Sequence, residues 1–458
     1  MASFLHPPCK SGLSERCADF LSLRHTDPAR FWQRCLFWSF WLHLTVFAVG
    51  YGFREVMPVV CLVFLGLYYR HAWHESIFHR LTIRPLFYCL WIMMFIGVAF
   101  SLTPWTSFLE TGTSFNKGLI LPFIAMESVR SLKDLKRLAW GSMLAFFWVG
   151  LDGIYQYCTG FDFIMGYPIH SGRLTSALAD YCVGNYLAQI FVPALGVWYI
   201  CRQKLGLIAS ATACALLSFP GLFTLYGAQT RAALLAIVVC SLVWLACIRV
   251  RHWKKILGLA LLGMVLAYAL MQSSAGRLSL DRIFQDGRWS LWSLALEIVR
   301  EWPIFGAGAE MFNPAFRSLG LVPARDAITI EHPHNLYLDI LCSTGIVGAL
   351  FGFIFLFGML WWLGKHLLPR LARTWQPAVP SDAPGCSRLY WQLTGLFALG
   401  YLVWLVNGIF GHEFYRMWWL GQAMQGLGVA IGALVLGLEG EKKHRQVFTV
   451  SHSVKNIQ

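Results

Sequence analysis

The stretch Leu336-Tyr-Leu-Asp-Ile-Leu-Cys-Ser-Thr-Gly-Ile-Val-Gly-Ala-Leu-Phe-Gly-Phe-Ile-Phe-Leu-Phe-Gly-Met-Leu-Trp-Trp-Leu363 carries a single charged residue, Asp339. It is longer than the roughly 20 residues a helix needs to cross a hydrocarbon layer. The pattern recurs along the chain. Apolar runs fall at 36–52, 56–70, 86–102, 118–129, 138–157, 181–201, 205–225, 231–248, 256–272, 336–363, 389–410 and 418–438. The runs at 56–70 and 118–129 are short for a span, which suits tilted, broken or partly inserted helices. Composition agrees, with 57% hydrophobic residues, 13% charged and a mean hydropathy of +0.55. Soluble chains carry about a quarter charged residues, and a soluble fold needs polar cover for its own surface. Disorder, fibrous repeats and small secreted scaffolds are excluded. The 21 Trp suit a chain that meets the membrane interfaces many times. The fold class is an all-α polytopic membrane protein of about 12 transmembrane helices. A tail at 1–35 precedes a bundle of about nine spans at 36–272. One large loop at 273–335, about three spans at 336–438 and a tail at 439–458 complete the chain.

Charge sets the orientation. A net charge of +14 would suggest nucleic acid in a soluble protein, but here it fits basic cytoplasmic segments, and no nucleic-acid partner is expected. With twelve spans and both termini inside, 26 of the 37 Lys and Arg fall on the inner side. The short loops at 130–137 and 249–255 are the strongest anchors. The outer side keeps Arg54, Lys117, Arg173, Arg231, Arg277, Arg282, Arg288, Arg300, Arg317, Arg325 and Arg416. Nearly all are Arg, whose planar fork suits bidentate phosphate recognition; the plainer reading of Arg300, Arg317 and Arg325 is solvated loop charge. Within the 273–335 loop, residues 288–300 show apolar residues at helical spacing, with Trp289, Trp292 and Ile298 as large contacts. The helix breaks at Glu301-Trp-Pro-Ile-Phe-Gly-Ala-Gly308, where the glycines permit a tight turn but do not form a phosphate loop. The 13 Cys lie mostly in apolar runs and imply no disulfide framework.

The richest sequence is Glu331-His-Pro-His-Asn-Leu-Tyr-Leu-Asp339, where the large loop enters the tenth span. Pro333 disfavours helix at His332. A zinc site would want His-x-x-x-His on a helix or further ligands nearby, so no metal and no cofactor is expected. A histidine at a water–membrane boundary has the pKa of a general base; alternatively it hydrogen-bonds the loop. Asp339 and Glu331 are possible partners of the histidines. Asp152 is a candidate polar contact between helices, and His412-Glu413 a candidate sugar contact or interfacial pair.

His334-Asn335, nine residues, then Gly345-Ile-Val-Gly348 resembles the signature of the O-antigen ligases and the related O-antigen polymerases. Further matches follow the family's order: Gly172-Arg173-Leu-Thr175, Thr230-Arg231-Ala-Ala, Arg288-x-x-x-Trp292 and Pro303-Ile-Phe-Gly-Ala-Gly308. Together they span about 172–348. The resemblance implies an all-helical, metal-independent glycosyltransferase of the bacterial inner membrane. It would move a glycan from undecaprenyl diphosphate to lipid A–core at the periplasmic face, with membrane lipid around it and 273–335 as the periplasmic catalytic loop. His334 is then the base. Arg231 and Arg288 would be the fixed cations that a leaving diphosphate needs without a metal, the first at an apolar helix end and the second opposing a helix dipole. Their plainer readings are snorkelling to headgroups and solvated loop charge. Arg173, Asn335, His332 and Trp292 are substrate-binding candidates, with Arg173 equally suited to loop structure. The rival within the family is O-antigen polymerase, with a second lipid-linked glycan as acceptor. A lipid or glycan transporter shares the span count, but transporters gather polar sites near the midplane, whereas these candidates gather at the outer end.

Overall fold

The computed structural model describes residues 13–112, 116–178, 182–248, 288–321, 331–373, 384–385, 387–411 and 414–455. The described residues are all-helical apart from turns and two isolated bridges. Seven helical segments are long and apolar enough to cross a membrane: Gly52–Arg80, Leu132–Thr159, Cys182–Leu205, Leu207–Gly227, Leu336–Leu371, Arg388–Asn407 and Trp418–His444. Three shorter apolar helices, Arg84–Ala99, Gly118–Ser128 and Arg231–Cys247, stand beside them. The protein is therefore a polytopic membrane protein. Each apolar run read from the sequence overlaps a helix, except that at 256–272, which lies outside the described residues along with Arg277, Arg282, Arg325 and His412-Glu413.

The N-terminal stretch read as a tail is helical from Leu13: α1 (Leu13–Thr26) leads into α2 (Pro28–Val46), capped by Asp27. Proline at N1 and an Asx cap start α2 earlier than its apolar run does. Next come α3 (Tyr51–Ala72), α4 (Ile77–Arg80), α5 (Arg84–Ala99), α6 (Pro104–Glu110), α7 (Asn116–Ser128) and α8 (Leu132–Thr159). The run at 181–201 is two helices, α9 (Cys182–Ala194) and α10 (Gly196–Leu205), interrupted just after Pro193. Then follow α11 (Leu207–Gly227), α12 (Arg231–Cys247), α13 (Arg288–Glu301), α14 (Phe312–Ser318), α15 (Leu336–Leu371), α16 (Arg388–Asn407) and α17 (Met417–Lys455).

Without a hydrophobic drive between helices inside lipid, small residues set the close contacts. Gly428 and Gly432 of α17 lie against the backbone of Pro122 and Met126 on α7, and Gly150 of α8 lies against Gly221 of α11. A main core runs through these helices. A second, smaller one joins α13 and α14 to α15. The face of α13 that it buries is Leu291, Leu294, Ala295 and Ile298, at helical spacing. Trp289, expected as a large contact, is instead exposed, because it stands on the opposite side of that stripe.

Candidate functional site

The site begins with a break in α15. Gly345 has φ +59°, so the helix is interrupted there and cannot form the bonds from Ile346 to Cys342 and from Val347 to Ser343. The segment 303–308 replaces both. Ala307 and Gly308 donate N–H to the Cys342 and Ser343 carbonyls at 2.8 and 3.0 Å, and Ile346 and Val347 donate to the Pro303 and Ile304 carbonyls at 2.8 and 3.1 Å. All four groups orphaned by the break are satisfied by protein, the condition for irregular backbone at membrane depth. The close approach requires glycine. A β-carbon on Gly345 would enter the Ile304 carbonyl, and one on Gly306 would enter the backbone at Ser343–Gly345. Ala309 donates to the Gly97 carbonyl of α5 and Ser107 Oγ to the Ala309 carbonyl, which pins the other edge of the segment. The motifs Pro303–Gly308 and Gly345–Gly348 thus form one structural splice.

The short half-helix above this break presents the histidine motif. Asn335 caps it: its Oδ1 accepts from the N–H groups of Tyr337 and Leu338 at 2.9 and 3.0 Å, and its Nδ2 donates to the Ile409 carbonyl. His334 just before the cap has φ +53°, a left-handed backbone. That conformation turns its ring toward His332, with centroids 4.4 Å apart in an edge-on arrangement. Burial pushes the His332 pKa down to about 4, helped by Arg416 and opposed by Glu331. Glu331, a possible partner of the base, pairs with Arg416. Asp339 is buried and accepts the Phe414 N–H at 2.9 Å, so it anchors the segment that carries Arg416.

The arginines arrive on neighbouring segments. Arg173 is buried and donates from Nε to the Ala228 carbonyl and from Nη2 to Thr230 Oγ1, at 2.8 and 3.1 Å. It therefore holds the turn that launches α12, whose first residue is Arg231. Its loop is fixed in turn by Gln156, which binds Thr175 and Ser176, and by Asp152, which accepts from Ser176 and Phe163. On α13, Arg288 lies one turn from Trp292, whose indole stacks on Phe410 at 5.7 Å. The Trp292 Nε1–H is buried with no hydrogen-bond partner among the described residues.

A chain of contacts links these parts at one end of the bundle. Thr230 sits against Gly184 of α9. The next residue, Asn185, donates to the Gly411 carbonyl and accepts from Asn407. Phe410 stacks on Trp292, and Ile409 receives Asn335 beside His334. Of the non-glycine residues with left-handed φ among the described residues, Ser171, Ser176, Gln229 and His334 fall in these segments and Glu310 follows the 303–308 splice. Such conformations cost about 1–3 kcal/mol each and cluster at functional sites. The fold therefore draws the Arg231, Arg288, Trp292 and His334 segments to one end, and gives Arg173 and Asn335 largely to backbone contacts. In the 407–416 segment the sequence points to Arg416 and to His412-Glu413, and Phe410 has no signal beyond its place in the apolar run 389–410.

Residues 213–353 match the family model described as O-antigen ligase, whose members are glycan-transferring enzymes. The matched segment opens in α11 and takes in Arg231, Arg288, Trp292, the 303–308 splice, His334 and Gly345–Gly348. The resemblance drawn from the short motifs holds over this segment. No curated protein matches the chain.

Proposed function

We propose that this protein is an O-antigen ligase of the bacterial inner membrane. It takes glycan from undecaprenyl diphosphate and joins it to lipid A–core at the periplasmic face. The observation that carries this reading is the coincidence of two facts: one family match spans Arg231, Arg288 and His334, and their segments meet at one end of the bundle. In the proposed reaction an acceptor hydroxyl attacks the donor's anomeric carbon and the sugar–diphosphate bond breaks. His334 takes the hydroxyl proton, and undecaprenyl diphosphate leaves. Arg231 and Arg288 neutralise the diphosphate, each as a fork able to hold two oxygens, with no metal in the step. Trp292 supplies a hydrogen-bond donor to the substrate, and Arg173 and Asn335 position the machinery. About twelve spans with both termini in the cytoplasm complete the topology.

A polymerase would break the same donor bond, so the test lies in the acceptor. Deletion of a ligase leaves bare lipid A–core on a lipopolysaccharide gel, while polymer accumulates on undecaprenyl diphosphate. Core bearing a single repeat unit, without accumulated polymer, identifies a polymerase and ends the ligase reading.

A further inference from the structure

Away from that site, five helices meet at a small, mostly buried space within the bundle. Its walls come from Phe40 of α2, Ser142 of α8, Gln189 of α9, Phe397 of α16, and Gln422 and Gln425 of α17. The cavity is about 20 Å³, and about 10–15 Å³ suffices for one water. Gln189, Gln422 and Gln425 are each at most 5% exposed. Four of their side-chain atoms have no hydrogen-bond partner among the described residues: the donors Gln189 Nε2 and Gln422 Nε2, and the acceptors Gln189 Oε1 and Gln425 Oε1. Ser142 Oγ donates to the Leu138 carbonyl and keeps its lone pairs for an acceptor role.

Amides left unsatisfied in a membrane core are costly, because no lipid atom replaces the lost bond. We infer that the cavity is a binding site for one occluded structural water. The donor–acceptor balance favours water over a cation. A cation would meet the amide oxygens but also two N–H groups of like polarity, and no carboxylate lines the space. A water accepts from Gln422 Nε2, donates to Gln425 Oε1 and uses either end of Gln189, the usual three bonds of a buried water. Gln425 Nε2 lies 3.3 Å from His43 Nε2, so the water extends a polar link from α2 across to α9. It gives the helices a directional contact that apolar packing lacks.

Radiolytic hydroxyl-radical labelling of the full chain in nanodiscs tests this, since brief X-ray pulses generate radicals from bound water in place. Phe40 and Phe397 are buried and should oxidise several-fold more than Phe87, which is equally buried but does not line the cavity. Bulk ¹⁸O-labelled water should enter those products slowly. Gln422→Met with Gln425→Met should abolish the excess; Gln189→Met alone, a milder change, should lower it. Oxidation of Phe40 and Phe397 no greater than that of Phe87 would show a dry cavity and overturn the proposal. Immediate isotope exchange would show an open channel and overturn it as well.

Discussion

His334 combines a strained backbone with the proposed chemistry, and the two separate by substitution. A β-carbon at φ +53° costs about 1–2 kcal/mol, which glycine avoids. His334→Ala and His334→Gly both remove the imidazole, so their difference isolates the backbone. The glycine variant should be the more stable by up to about 1 kcal/mol, after its greater unfolded-state entropy is offset. Both should lose transfer by roughly 10²–10⁴-fold, the usual loss for a general base. A purified His334→Ala protein with full activity would remove the residue from the mechanism. Arg288→Lys keeps the charge but loses the fork, and so should recover little of the activity that Arg288→Ala loses. At His332 the depressed pKa gives a pH dependence of stability. Its folded value, about 4, lies below the unfolded value of about 6.5, so between them the unfolded chain binds more protons. Stability from this group is then full above about pH 6.5 and falls as pH drops toward 4, by up to about 3 kcal/mol. Melting midpoints from pH 7 to 4.5 should fall less for His332→Gln than for the parent. Equal slopes would mean that the histidine is not held neutral by its surroundings.

The broken helix α15 explains the glycine spacing better as architecture than as ligand binding. Gly345→Ala forces a side chain into a left-handed backbone, costing about 1–3 kcal/mol, and also into the Ile304 carbonyl. It should cost more than the strain alone and yield little folded protein. Gly364 belongs to the same helix and has open space around its Cα, so Gly364→Ala should be neutral or stabilising by up to about 1 kcal/mol. Detergent-solubilised yield and melting midpoint check the pair, and equal tolerance at both positions would refute the splice. Sequence made the helices legible, because apolar runs report what must face lipid. It also placed α13 and the start of α15. It did not show that 303–308 replaces two helix bonds of α15, because that pairing joins carbonyls and amides about 40 residues apart, which no local pattern encodes. The same limit applies to Arg173. Its motif suggested contact with substrate or loop structure, and only the turn at Ala228–Thr230 shows where its donors go. Trp289 and Trp292 read alike in sequence, yet the stripe chosen by Leu291, Leu294 and Ile298 leaves one exposed and stacks the other on Phe410.

For the molecule as a whole, charge decides which membrane face holds the linked site segments. The inner leaflet surface is negative, so basic loops favour the cytoplasmic side. The loop between α7 and α8 carries Arg130 and leads directly into Lys133, Lys136 and Arg137, and the α10 end carries Arg202 and Lys204. On the proposed layout these belong to one face and the 288–335 segment to the other. Arginine at the site end runs against that bias, and the proposed function supplies a reason for it, since a diphosphate donor would offer those cations an anionic partner. Truncated fusions to alkaline phosphatase, which is active only in the periplasm, should therefore be inactive when joined after Lys204 and active when joined after Ser318. An active fusion at 204 with an inactive one at 318 would invert the bundle. It would place His334 in the cytoplasm, away from any periplasmic lipid A–core acceptor, and the proposed function would fail with the topology.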